Sequence, residues 1–62
     1  MEQEIRIHFV SGEHIDVTGA GLGQYDAAIK NPDVRLMWAV NKMGKPVTIN
    51  VAATTHAEEL AD

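Results

Sequence analysis

Three glycines at alternate positions, Gly19, Gly21 and Gly23 in TGAGLGQY, stand just ahead of a helical pattern. Backbone amides at a helix start can hold an anion, and a dinucleotide fingerprint exploits that chemistry with the spacing G-x-G-x-x-G. Here the spacing is G-x-G-x-G, and Gln24 occupies the position the third fingerprint glycine would take. No Gly-Lys-Ser or Gly-Lys-Thr follows, as a Walker loop would require. Gly19, Gly21 and Gly23 are therefore weak anion-site candidates. The expectation is a corner: glycine reaches positive φ at little steric cost and lets the chain turn from strand to helix.

The histidines are the other groups with reactive side chains. His8 and His14 fall on strand-like stretches and His56 in the tail, and the chain has no cysteine. A zinc site needs three or four converging ligands. No close histidine pair supplies them, so no metal and no cofactor is expected. His8 set across from Asp16 would have the parts of a base oriented by a carboxylate. No serine nucleophile adjoins it in sequence, and the expected role is an exposed cross-strand polar pair. No catalytic residue is assigned, and no enzyme is expected.

Short elements must position these groups. From Glu4 to Val10, Ile5, Ile7 and Phe9 alternate with Glu4, Arg6 and His8, the period of a half-buried strand. Ser11, Gly12 and Glu13 supply turn residues, and Ile15 and Val17 resume the alternation, which makes a β-hairpin. Keeping Phe9 and Ile15 on one face requires a three-residue loop, or a two-residue turn plus a bulge. The three-residue loop sets His8 opposite Asp16 and Arg6 opposite Thr18.

Between Leu22 and Lys30 the period changes: Leu22, Tyr25 and Ile29 form the stripe of a short amphipathic helix. Asp26 and Lys30 make an i, i+4 pair in the favourable order. Pro32 ends the helix by restricting Asn31. So short a helix does not form alone in water and must pack on the sheet. VRLMWAVN is the strongest strand. Leu36, Trp38 and Val40 are assigned to the core with Val34, and Met37 and Ala39 to the other face. After KMGK, PVTINVA returns with Val47, Ile49 and Val51 inward, which places Trp38 across from Ile49. The tail ATTHAEELAD fits a short edge strand after a turn at VAA, or a helix capped by Thr55 and Glu58. The strand is preferred, because the helix would have almost no apolar face.

The order is β-β-α-β-β with a fifth strand in the tail. That is a two-layer α+β fold, ββαββ(β), with an antiparallel sheet and one short helix on one face. With 62 residues it forms one domain, residues 1–62, and no cysteine is available to staple it. A chain this small gains stability readily by self-association. The net charge is −4, and the five bases are scattered, so nucleic acid is a poor partner and protein a better one. The apolar runs fall far short of the roughly 20 residues that span a bilayer. The opening MEQEIRIHFV lacks the pattern of a signal peptide, so a cytoplasmic location is expected.

The run IRIHFVSGEHIDV, followed by LMWAVNKMGKPVTINVAATTHAEE, resembles a broad group of short bacterial and phage ββαββ proteins. These open with a hairpin turning at a glycine and close with G-x-x-V-x-I-N and an acidic-ended strand. Gly44, Val47, Ile49, Asn50, Glu58 and Glu59 carry the likeness. ATTHAEE departs from it, since that group has more branched residues in its last strand. The resemblance implies the fold and assigns no activity. The functional expectation is a non-enzymatic protein-interaction module, a homo-oligomer that binds a protein partner. Its interface candidates are Met37, Ala39, Thr48 and Asn50, on the sheet face the helix leaves bare. The alternative is a small-molecule or nucleotide binder with sites at subunit junctions near Gly19–Gly23.

Overall fold

A computed structural model describes residues 4–60. The last two positions of the tail lie outside the described residues, as do the first three of the chain. The elements are β1 (Ile5–Phe9), β2 (His14–Thr18), α1 (Leu22–Lys30), β3 (Leu36–Asn41), β4 (Pro46–Asn50) and β5 (Thr54–Glu59). A single 3-10 turn, Val51–Ala53, joins β4 to β5. The strands form one antiparallel sheet in the order β4-β3-β2-β1-β5, so the fold is the α+β ββαββ(β) arrangement with the fifth strand present.

One connection fixes the shape of this sheet. β4 and β5 are its two edges, yet only the 3-10 turn separates them. Four Cα steps reach at most about 15 Å. In a flat sheet the outer strands would stand four spacings apart, about 19 Å. The sheet therefore curls until its edges approach at one end. The concave side holds the core, built from Ile5, Ile7, Val17, Ala20, Tyr25, Met37, Ala39, Ile49 and Val51. Helix α1 packs there against β5 and the 3-10 turn. Tyr25 is its buried residue, with Leu22 and Ala28 half-buried beside it, while Ile29 lies largely exposed. The Tyr25 hydroxyl is 2.7 Å from Thr54 Oγ1, which itself donates to the Val51 carbonyl at 2.6 Å.

Both hairpins turn in the same way. Phe9 N–H donates to the Glu13 carbonyl at 2.8 Å around Val10-Ser11-Gly12, and Gly12 N–H donates to the Phe9 carbonyl at 2.9 Å. Asn41 N–H donates to the Lys45 carbonyl at 2.9 Å around Lys42-Met43-Gly44, and Gly44 N–H donates to the Asn41 carbonyl at 3.0 Å. Gly12 and Gly44 have φ of 93° and 79°. This is the three-residue loop that closes on a left-handed glycine.

These loops correct two pairings. The first hairpin does have a three-residue loop, but it is closed by Phe9 and Glu13. Arg6 therefore faces Asp16 and His8 faces His14, two residues away from the expected register. In the second hairpin Met37 faces Ile49, Trp38 faces Thr48 and Ala39 faces Val47. Trp38 is thus not across from Ile49. Because side chains alternate along a strand, this one-residue difference exchanges the faces of β3.

Candidate functional site

Among the described residues nothing covers the convex face of the sheet, which carries an ionic cluster and a row of histidines. Its β3–β4 end is apolar. Trp38 is 69% exposed and Leu36 59% exposed, with Val40 beside them half-buried. Thr48 and Asn50 pair with Trp38 and Leu36 across β4 and are exposed. The interface candidates divide accordingly. Thr48 and Asn50 stand on the bare face. Met37 and Ala39 do not: at 8% and 5% exposure they pack in the core with Ile49 and Val47. The physical reason is the Gly44 loop, whose register ties Met37 and Ala39 to the unambiguous inward residues of β4.

Toward β1 the same face becomes ionic. Arg6 forks onto Asp16, with Nε donating to Oδ1 at 2.7 Å and Nη2 to Oδ2 at 3.1 Å. Lys42 Nζ approaches Asp16 Oδ2 at 3.3 Å and Glu4 Oε2 at 3.5 Å. The Asp16 side chain is only 11% exposed under these cations. The Arg6 hydrogen bond, helped by Lys42 and opposed by desolvation, holds its carboxyl down at about 2. The same contacts raise the Arg6 and Lys42 pKa values, the Asp16 hydrogen bond contributing most to each. A carboxylate engaged on both sides is not available to orient a histidine, and the expected His8–Asp16 pair does not form.

The three histidines meet instead. His8 faces His14 on β2 and His56 on β5. The His8 and His56 rings stack with centroids 4.3 Å apart and 10° between planes, and His14 lies 5.8 Å from His8. His8 Nε2 is 3.5 Å from Glu58 Oε1. The row depends on two registers, β1 with β2 and β1 with β5, which alternation within a single strand does not set. Among the described residues, no three His, Asp or Glu side chains are placed to hold a metal ion.

The glycine run sits at the β2–α1 corner. Of Gly19, Gly21 and Gly23, only Gly19 has positive φ, at 80°. Gly21 is the helix N-cap with extended backbone, its N–H donating to Gln24 Oε1 at 3.2 Å. Gly23 lies inside α1. One glycine serves the turn, as expected of a corner, and the others do not need the left-handed region.

A second concavity lies at the other end of the helix. A cleft of about 750 Å³ runs between the C-terminal end of α1, the start of β3 and the 3-10 turn. Ile29, Leu36 and Val51 give it apolar walls, and Asn31, Arg35 and Asn50 give it polar ones. The curl of the sheet opens the space.

No family model, curated protein or solved structure matches this chain. No helix among the described residues is long and apolar enough to cross a membrane.

Proposed function

We propose that this protein is a non-enzymatic protein-interaction module that self-associates through the convex sheet face centred on Trp38. The observation that carries this reading is the exposure of Trp38 beside Leu36 on a face that no other described residues cover. Large exposed apolar side chains with polar neighbours are the usual composition of a contact surface, and tryptophan is enriched at the energetic centre of interfaces. Thr48 and Asn50 border the patch, and the ionic belt of Arg6, Asp16 and Lys42 flanks it. The edge strand β4 adds unpaired backbone groups that a second copy can pair with. The commitment of Asp16 to two cations supports a structural use of the polar residues rather than acid–base work.

Trp38 is the only tryptophan, so its fluorescence reports this face alone. Self-association is expected to shift the emission to the blue as concentration rises, with light scattering reporting twice the chain mass or more. Constant emission together with a monomer mass over the micromolar to millimolar range would refute it.

A further inference from the structure

The cleft beside the C-terminal end of α1 has a chemistry the rest of the molecule lacks. The chain carries nine acids and five bases, yet among the described residues none that lines this cleft is acidic. Arg35 lines it and has no carboxylate partner among the described residues, unlike Arg6, Lys30 and Lys42. Two asparagines add donors. Asn31 Oδ1 accepts the Asp33 N–H at 3.0 Å, and Asn50 Oδ1 accepts the Ala52 N–H at 3.1 Å. With each carbonyl oxygen tied into its own turn, the amide NH2 is the end left to face a ligand. The polar wall thus offers donors and one positive charge, and the wall of Ile29, Leu36 and Val51 offers hydrocarbon.

We propose that this cleft binds a small aliphatic monocarboxylate, its carboxylate on Arg35 and its alkyl chain along Ile29, Leu36 and Val51. The guanidinium fork matches a carboxylate with two parallel hydrogen bonds. One cation matches a single negative charge and is a poor match for a polyphosphate. The cleft volume falls within the range of small-molecule sites. The site lies apart from the Gly19–Gly23 corner. Every group named belongs to one chain, and because Leu36 and Asn50 also border the Trp38 face, ligand and self-association compete for them.

The test is ligand titration followed by amide chemical shifts of the isotope-labelled protein, with octanoate, octylamine and octanol as probes. Octanoate is expected to shift the amides of Ile29, Arg35, Leu36 and Val51 saturably. Octanol is expected to bind about tenfold more weakly or worse, since it forfeits a hydrogen-bonded charge. Arg35→Gln keeps the fold, because Arg35 is exposed, and is expected to abolish the preference for octanoate over octanol. Arg35→Lys should keep a reduced preference, as a point charge lacks the fork. Equal binding of octanoate and octanol would overturn the proposal. So would octanoate shifts that spread over Lys42 and Lys45, or an unchanged preference in Arg35→Gln. A short peptide with a leucine carboxyl terminus that binds tighter than octanoate would also overturn it, by reassigning the cleft to a chain terminus.

Discussion

Arg6 and Asp16 face each other across β1 and β2 and close a two-bond fork on the convex face. The fork holds the Asp16 carboxyl near 2, below its ordinary value of 3.8, chiefly through the Arg6 hydrogen bond. A carboxyl depressed in the folded state stabilises the protein above its unfolded pKa. That contribution is lost as pH falls from about 4 through about 2. The Arg6 side chain is about one-third exposed, so solvent weakens the pair. Asp16→Asn is expected to lower stability at neutral pH and to flatten the acid limb. Urea midpoints from pH 2 to 7 measure both, and parallel curves for the two proteins would contradict the assignment.

Trp38 has the opposite energetic role from the one its hydrophobicity suggests. Its exposure means that removal leaves no cavity in the folded chain. Trp38→Ser in the monomer should change stability by about 0.5 kcal/mol or less, the range of surface substitutions. It should also abolish the concentration dependence of thermal unfolding that self-association confers. Far-UV circular dichroism at several concentrations reads both effects. Loss of the fold in Trp38→Ser would return the side chain to the core.

The difficulty at Trp38 shows where sequence patterning runs out. Alternation marks β1, β2 and β4, because IRIHF, HIDVT and PVTIN each have one apolar and one polar phase, whereas the tail fits either a strand or a helix. LMWAVN is apolar in both phases, so a period of two says that it is a strand without saying which side is in. The phase is set by its partner. Gly44 at the third loop position closes the turn between Asn41 and Lys45, and counting back from there places Met37 against Ile49. Gly12 sets the first hairpin by the same rule, and Arg6 then meets Asp16. The signal was present in the two glycines. The histidine row and the cleft needed the β1–β5 pairing and the curl of the sheet, which no local pattern encodes.

The inverted faces make β3 substitutions discriminating. Met37→Ala removes buried volume next to Ile49 and should cost about 2–5 kcal/mol. Ala39→Glu places a carboxylate in the core against Val47, where it has neither room nor a partner. It is expected to unfold the protein at every concentration. Conversion to a folded monomer would instead put Ala39 at a contact, and sedimentation together with circular dichroism separates the two outcomes.

The corner glycines can be told apart in the same way. Gly19 has φ of 80°, and a β-carbon there would meet Val40 Cγ2 at 3.4 Å. Strain in the left-handed region and the added contact should make Gly19→Ala lose about 1–2 kcal/mol. Gly21 has φ of −94° and ψ of 173°, which any residue adopts, and it stands at the N-cap of α1 without a side chain to cap it. Gly21→Ser should supply a hydroxyl that can accept from the Gly23 or Gln24 amide and gain a few tenths of a kcal/mol. Urea unfolding with equal slopes for the three proteins measures the order Gly21→Ser, wild type, Gly19→Ala. The reverse order would mean that Gly21 is kept for close approach to something outside the chain, and the corner would again be a candidate for holding an anion.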